Sequence, residues 1–171
     1  MNSAAFYLAP LTEVLAEELC RWRYEPPYDI YNWPSWPDML AREEEFADPL
    51  IRAAQYRAVL TCAGELVGFV QLFPLAGVTR LGLGLRPDLC GKGYGAQLAR
   101  TAALAALRCN PGDEVDLEVR KDNVRARRAY EKAGFRLSDE YERMTPAGPA
   151  AFYCMVFAGH GGAIACETRR N

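Results

Sequence analysis

Apolar residues recur along the chain with two spacings, and the change from one to the other predicts the order of the elements. Near the N-terminus the spacing is three and four, which predicts an amphipathic helix over Leu11–Tyr24 and a shorter one over Pro37–Phe46. From residue 57 onward, runs rich in β-branched and aromatic residues, often spaced by two, predict strands. The predicted strands are Arg57–Cys62, Glu65–Phe73, Val78–Arg86, Val115–Arg120, Phe135–Arg143 and Ala150–Phe157.

Two helices are predicted between the later strands. One covers Tyr94–Arg108, and the other is capped by Asn123 and ends at Gly134. A strand, a helix and a strand in succession pair the strands in parallel through a right-handed crossover. Ala63-Gly64 and the turn at 146–149 instead predict antiparallel hairpins. The chain is therefore expected to be α/β, with a mixed sheet flanked by helices.

Length and charge narrow the class of protein. The chain has 171 residues, half of them hydrophobic, so we expect a single domain over residues 1–158 and a mobile tail over 159–171. A net charge of -2 gives no general field for nucleic acid or for an anionic membrane. The first residues lack the basic start and apolar run of a secretory signal. The uncharged stretch 144–166 is broken by proline and glycine, so no membrane span is predicted.

The cysteine and histidine content argues against a metal site and against a nucleophilic triad. Six cysteines are scattered without a C-x-x-C pair, and the single histidine, His160, lies in a glycine-rich segment. Unpaired cysteines are typical of a reducing cytoplasm, which is the expected location. Cys90 precedes a predicted helix N-terminus, where the pKa of a thiol can fall. We favour a packing role for it over a nucleophilic one.

A glycine-rich loop leads directly from a leucine-alternating strand into the helix that begins at Tyr94. Leu81, Leu83 and Leu85 alternate with glycines, and the sequence Cys90-Gly91-Lys92-Gly93-Tyr94-Gly95 follows. A helix N-terminus presents unpaired N–H groups and a partial positive charge, so such a loop is suited to an anion such as phosphate. The spacing fits neither a dinucleotide fold nor a P-loop. By itself the loop does not distinguish a phosphate site from a plain helix cap.

A second motif makes the resemblance to a known family visible. Asn123, Ala126, Tyr130, Gly134 and Phe135 match N-x-x-A-x-x-x-Y-x-x-x-G-F after a strand. Cys90, Gly93 and Gly95 hold the positions of [Q/R]-x-x-G-x-[G/A]. Together these motifs resemble the GCN5-related N-acetyltransferase (GNAT) superfamily over about residues 57–157. Cys90 departs from the family pattern, which has Gln or Arg at this position.

The resemblance implies a mixed α/β acyltransferase fold that uses acetyl-CoA as cosubstrate and no metal. By the same resemblance, Asn123 hydrogen-bonds the pantetheine arm, the backbone of Leu83 and Leu85 pairs with its amides, and Tyr130 is the general acid for the leaving thiolate. The loop residues contact the pyrophosphate through their N–H groups, with Lys92 able to add charge. The loop residues concerned are Gly91, Lys92, Gly93, Tyr94 and Gly95.

Glu118 is the candidate general base. Strand alternation buries Val115 and Val119 on one face and places Glu118 on the other, together with Arg120. A carboxylate there can accept the proton of the amine directly or through a water. In family members that acetylate protein N-termini, a similar Leu-Glu-Val-Arg strand carries the base. A solvated carboxylate paired with Arg120 or Lys121 is the alternative, and both stay open.

A proline-rich loop over residues 24–37 concentrates aromatic side chains. Its residues Tyr24, Tyr28, Tyr31 and Trp33 are candidates to contact an amine acceptor through cation-π interactions. Packing of these rings under the loop explains them equally well.

These observations lead to one function and two alternatives. The favoured function is an acetyl-CoA-dependent N-acetyltransferase that acts on a primary amine of a small molecule or peptide, by direct attack in a ternary complex. One alternative is a non-catalytic acyl-CoA binding or sensing domain, and the other is a protein-interaction domain that uses the aromatic loop. No pattern identifies the acceptor, and a homodimer stays open.

Overall fold

The computed structural model describes residues 6–159, which form a seven-stranded mixed sheet covered by helices on both faces. His160 and the rest of the predicted tail lie outside the described residues. The strands are β1 Phe6–Pro10, β2 Tyr56–Thr61, β3 Leu66–Leu75, β4 Val78–Leu85, β5 Glu114–Arg120, β6 Phe135–Thr145 and β7 Gly148–Phe157. The α-helices are α1 Glu13–Cys20, α2 Trp36–Arg42, α3 Pro49–Gln55, α4 Tyr94–Cys109 and α5 Val124–Ala133.

The sheet confirms the predicted α/β class. Its strand order is β1-β2-β3-β4-β5-β7-β6, and the pairing of β4 with β5 is parallel while all the others are antiparallel. The parallel pair is the one joined by α4, as a crossover connection requires. The two predicted hairpins, β2–β3 and β6–β7, are also confirmed.

The sequence patterns missed or misjudged elements in the N-terminal third. The strand β1 is five residues long at the edge of the sheet, too short to show a period. The helix α3 was missed because it buries no residue fully and so has no apolar stripe; the Asp48 side chain caps it. The predicted helix over Pro37–Phe46 is wrong at its C-terminal end. It stops at Arg42 because Glu43 adopts a left-handed conformation with φ 51°, and a 3-10 turn over Glu45–Ala47 follows.

Two apolar clusters hold the helices on opposite faces of the sheet. One lies between the sheet and the helices α4 and α5, where Ala99, Ala102 and Ala106 let α4 lie close to Leu117. The other lies under α1 and α2. Its largest fully buried side chains are Leu19, Met39, Phe46 and Tyr56. The second cluster covers β2 and β3. On the same face, β4 and β5 carry the polar side chains of Arg80, Asp116 and Glu118.

The central feature of the sheet is a fork between β4 and β5. Strand β4 pairs with β3 along its whole length, up to the register pair Gly68 and Leu85. It pairs with β5 only as far as Leu81 and Leu117. Beyond that point β5 continues along β7 to Arg120. The last four residues of β4 therefore have a strand on one side only.

Strand alternation determines which peptide groups point into the fork. The N–H of Arg86 donates to the carbonyl of Val67 on β3, at 2.8 Å. Because successive peptide groups of a strand point to opposite sides, those of Leu83 and Leu85 point away from β3 and into the fork. The Tyr24 hydroxyl donates to the Leu85 carbonyl from that side, at 2.8 Å. The structure thus supplies a free backbone edge at the position where the resemblance implied one.

Packing explains why β4 has glycine at positions 82 and 84. Both positions lie on the face of the sheet opposite α4, beside side chains of β3. A Cβ built at Gly84 would overlap the ring of Phe69, its register partner on β3. A Cβ at Gly82 would lie 3.0 Å from the Oε1 and 3.1 Å from the Cβ of Gln71, which is a tight contact but overlaps no ring. The bare face of β4 is therefore covered by neighbouring side chains of β3.

We expect Gly84→Ala to lower the free energy of unfolding by about 1–3 kcal/mol, because the Phe69 ring must leave its packed position. Gly82→Ala is the matched control on the same face of the same strand and should cost less than 1 kcal/mol. Urea denaturation of both variants measures the difference. Equal stabilities would contradict the packing of Phe69 over Gly84.

Candidate active site

A cavity of about 930 Å³ opens at the fork. Its walls come from the aromatic loop, from β3 to β5, from the glycine-rich loop and from α5, while β6 and β7 close one end. The volume lies near the upper end of the range for small-molecule sites. The cavity is therefore large enough for an elongated ligand and a second molecule beside it.

The glycine-rich loop forms one wall of the cavity. Gly91 and Gly93 adopt φ values of 78° and 90°, which favour glycine, and Gly93 is the N-cap of α4 without a capping side chain. The N-cap residue therefore offers no side chain to the first N–H groups of α4. Gly95 also lines the cavity, and it has a second role, since an added Cβ would lie 3.2 Å from the Cβ of Ala129 on α5.

Two of the predicted loop residues do not present their side chains to the cavity. Lys92 is exposed and is not among the lining residues. The Tyr94 ring lies against Phe6, with centroids 5.7 Å apart. The positive charge on this side of the cavity comes instead from α5. There Arg125, Arg128 and Lys132 line the wall. Sequence reasoning missed these three cations, although their spacing of three and four places them on one helix face.

Asn123 caps α5, as predicted. Its Oδ1 accepts a hydrogen bond from the N–H of Ala126 at 3.1 Å, and its Nδ2 donates to the Tyr31 hydroxyl at 3.2 Å. It also lines the cavity. Asn123 therefore ties the start of α5 to the aromatic loop across the cavity.

Tyr130 faces the fork from α5. Its ring packs near Phe135, with centroids 6.1 Å apart, and the residue is half-buried and lines the cavity. Burial raises the pKa of its phenol well above the ordinary value, so the hydroxyl keeps its proton throughout the neutral range. Within residues 6–159 the structure gives this hydroxyl no hydrogen-bond partner. Its proton is therefore available to a ligand in the cavity.

Cys90 supports the packing role favoured above. Burial raises the pKa of its thiol, so the thiol is protonated at neutral pH. The Sγ atom lies 3.7 Å from the carbonyl oxygens of Leu85 and Arg86. A protonated thiol in this position closes the turn after β4 and is a weak nucleophile.

Glu118 lies just beyond the fork, in a cluster of cationic and phenolic groups. Its Oε1 accepts a hydrogen bond from Arg80 Nη1 at 2.8 Å and contacts the Tyr141 hydroxyl, and its Oε2 lies 3.3 Å from Arg143 Nη2. The alternative of an ion-paired carboxylate named the wrong partners, but Glu118 is paired, with Arg80 and Arg143. Arg120 and Lys121 pair instead with Asp122 and with Glu140 respectively.

Asp116 lies beneath Glu118 on the same face and anchors this cluster. The Asp116 side chain is 6% exposed. Arg80 donates to both of its oxygens, from Nε to Oδ1 at 2.9 Å and from Nη2 to Oδ2 at 2.6 Å. The Cys154 Sγ lies 3.5 Å from the same carboxylate, and burial together with that charge raises the pKa of the thiol to about 11. Arg80 thus bridges the buried Asp116 and the cavity-lining Glu118.

The aromatic loop divides between packing and the cavity. Tyr24, Tyr31 and Trp33 line the cavity, whereas Tyr28 does not and lies under the Arg125 guanidinium, 3.8 Å from Cζ to the ring centroid. Trp33 also packs edge-on against Phe46, with centroids 4.9 Å apart. Packing therefore accounts for Tyr28 and for one face of Trp33. Contact with an acceptor stays a prediction for the rings that line the cavity.

Comparison with known proteins identifies the family. The sequence model of the Acetyltransferase (GNAT) family matches residues 16–135. The chain belongs to this family. A search among curated proteins found no matching sequence.

Solved structures of GNAT acetyltransferases share the fold. The spermidine N-acetyltransferase from Vibrio cholerae, in complex with CoA and spermine, superposes with a TM-score of 0.68 at 18% identity, covering 91% of this chain and 96% of that one. AAC(6')-Ib in complex with ribostamycin and coenzyme A gives 0.64 at 23% identity, covering 89% and 93%. A GNAT-family acetyltransferase from Bacillus anthracis gives 0.57 at 17% identity, covering 66% and 70%. At these identities the likeness concerns the fold alone.

The helix lengths and side chains of residues 6–159 bear on two further possibilities, a membrane-spanning segment and a metal site. None of the helices there is long and apolar enough to cross a membrane. The same residues contain no group of three or more His, Cys, Asp or Glu side chains placed to hold a metal ion.

We expect Arg80→Met to lower the free energy of unfolding by about 3 kcal/mol, because it leaves the buried Asp116 carboxylate without its bidentate partner. Arg120→Met is the matched control on the neighbouring strand. Its partner, Asp122, has a side chain that is 67% exposed, so the loss should stay below about 1 kcal/mol. Urea denaturation at pH 7 measures both. A small and equal loss in the two variants would show that Asp116 does not depend on Arg80.

Proposed function

We propose that this protein transfers the acetyl group of acetyl-CoA to a primary amine of a small molecule or peptide, by direct attack in a ternary complex. The observation that carries the proposal is the fork. The free backbone edge of β4 leads to the N-terminus of α4, whose N-cap Gly93 has no side chain, and Tyr130 lines the same cavity. Structural neighbours crystallised with coenzyme A and with amines support the same assignment.

The residues present fit the cosubstrate. Pantetheine carries amides, and the N–H and C=O of Leu83 together with the N–H of Leu85 offer donors and an acceptor along an unpaired strand edge. The Leu85 carbonyl already accepts a hydrogen bond from the Tyr24 hydroxyl. The N–H groups at the start of α4 suit a pyrophosphate. Arg125, Arg128 and Lys132 line the same side of the cavity, so their charges complement the phosphates of coenzyme A. When bound, acetyl-CoA supplies an activated acyl carbon and a thiolate leaving group.

Tyr130 is proposed as the general acid. The transfer forms a C–N bond, breaks the C–S bond and leaves a thiolate that must gain a proton. The raised pKa of Tyr130 keeps its phenol protonated until that point, and solvent then restores the proton. General acid catalysis of this kind contributes about 10²- to 10⁴-fold to the rate.

Glu118 remains the proposed base. An amine of the lysine type has a pKa of about 10.4, so it is almost entirely protonated at pH 7 and must lose a proton before it attacks. The Glu118 carboxylate lines the cavity just beyond the fork. Its Oε1 is shared by Arg80 and Tyr141, and its Oε2 lies 3.3 Å from Arg143 Nη2. Oε2 has the longer contact, so it is the atom through which the carboxylate would accept that proton, directly or through a water.

Two further predictions, on cellular location and on oligomeric state, accompany this function. Cys20, Cys90, Cys109 and Cys154 are free thiols, which supports the proposal that the protein acts in the reducing cytoplasm. The homodimer stays a prediction.

The experiment measures acetyl-CoA-dependent thiol release with a panel of primary amines. We expect Tyr130→Phe to lower kcat about 100-fold, since it removes the proton donor, while the Kd for acetyl-CoA stays within a factor of two. Tyr7→Phe is the matched control, because Tyr7 is exposed on β1 and lies outside the cavity.

Unchanged turnover in Tyr130→Phe with every acceptor would contradict the general-acid role. Tight binding of acetyl-CoA by the wild-type protein without thiol release for any amine would favour the non-catalytic binding domain instead.

A further inference from the structure

The half of the cavity that remains for the acceptor lies on the face of the sheet opposite α4. The coenzyme side is lined by the glycine-rich loop and α5. Across the fork, the opposite face of the sheet presents a second set of lining side chains, here called the acceptor end. It consists of Tyr31, Trp33, Phe73, Glu118, Arg143 and Phe152.

The acceptor end is electrically balanced rather than acidic. Among the described residues that line the cavity, Glu118 supplies the only carboxylate. Arg80 and Arg143 oppose it, and Asp116 beneath is held by Arg80, so two carboxylates face two guanidinium groups. The nearby Glu45 lies outside the lining and accepts a hydrogen bond from the Tyr56 hydroxyl at 2.5 Å. Glu45 lies behind the lining residue Gln71, whose Nε2 is 3.5 Å from its carboxylate. Among the side chains of the acceptor end itself, a polycationic acceptor therefore meets no surplus of negative charge.

Arg143 is the cation with donors to spare. Arg80 uses Nε, Nη1 and Nη2 on Asp116 and Glu118. Arg143 has a side chain that is 52% exposed, and its one ion-pair contact within residues 6–159 is Glu118, at 3.3 Å. Its guanidinium is held over the Phe152 ring, with Cζ 4.2 Å from the centroid. A guanidinium fixed in place with free N–H groups is suited to bind a carboxylate in bidentate fashion.

We propose that the acceptor is a small amine that also carries a carboxylate, namely an amino acid or a close analogue with an apolar side chain. Arg143 binds the carboxylate, the amine lies toward Glu118, and the apolar part lies against Tyr31, Trp33 and Phe73. Such a zwitterion adds no net charge to a balanced site. By engaging Arg143 it also leaves Oε2 of Glu118 to receive the amine proton. This inference rests on the proposed function.

The first test compares acceptors that differ only in the carboxylate. Thiol release from acetyl-CoA is measured with phenylalanine against phenethylamine and with tyrosine against tyramine, and spermidine serves as the polycation. We expect kcat/KM to be at least about 10-fold higher for each amino acid than for its decarboxylated partner, and lowest for spermidine. Decarboxylated partners that react as well, or spermidine as the best acceptor, would overturn the inference and leave the proposed function intact.

The second test assigns the carboxylate contact to Arg143. Arg143→Gln should raise KM for the amino acid about 10-fold with little change in kcat, and should leave KM for the decarboxylated partner unchanged. Arg143→Lys should restore part of the loss. Arg136→Gln, an exposed arginine on the same strand outside the cavity, is the matched control and should change neither value.

Other outcomes of these tests also decide between the claims. An equal rise of KM for both partners in Arg143→Gln would mean that Arg143 has a structural role only. No thiol release with any amine, in a protein that binds acetyl-CoA, would contradict the proposed function itself and the acceptor assignment with it.

Discussion

The separation of β4 from β5 is the constraint on which the rest of the site depends. A strand edge buried without partners is costly, because each peptide group that is neither paired nor hydrated loses its hydrogen bonds. The peptide groups of Leu83 and Leu85 point into this separation, where the Leu85 carbonyl accepts a hydrogen bond from the Tyr24 hydroxyl and lies 3.7 Å from the Cys90 sulfur. An edge of this kind is suited to a ligand with amides of its own, and the helix that follows it is suited to phosphate.

An ion-pair cluster of Arg80, Asp116 and Glu118, on the face of the sheet opposite α4, stabilises the fork. Arg80 and Asp116 are register partners one position before the strands separate, and their side chains form the bidentate ion pair. Arg80 also reaches Glu118, which lies beyond the last paired residues. A single arginine thus links the paired and the separated parts of β5. The same cluster sets the charge at the acceptor end, so fold stability and acceptor choice share these residues.

Much of the fold and part of the site could be predicted from the sequence. The strands from β2 onward and both long helices follow from periodicity and caps, and Asn123 caps α5 as expected. The β1 strand could not be predicted, because it is too short to show a period. The helix α3 buries no apolar stripe, so periodicity misses it, and its signals are the local ones of the Asp48 cap and of Pro49 in the first turn.

The polar partners in the site were the least predictable feature. Glu118 was placed on the correct face of β5, but its neighbours on that face come from β4 and β6, far away in sequence. Arg80 is 38 residues before it and Tyr141 is 23 residues after it. Strand alternation gives the face of a residue, whereas sheet order and register decide what it meets. The bulge between Leu137 and Asp139 on β6 shifts that register by one residue, and no sequence pattern indicated it.

Amide hydrogen exchange resolved to single residues tests the central claim most directly. In the protein without ligand, the N–H groups of Leu83 and Leu85 should exchange quickly while that of Gly84, which points to β3, is protected. Addition of acetyl-CoA should then slow exchange at Leu83 and Leu85 and leave Gly84 unchanged. Strong protection of Leu83 and Leu85 before ligand is added, or exchange at both that acetyl-CoA does not alter, would contradict a fork that binds the cosubstrate through the backbone of β4.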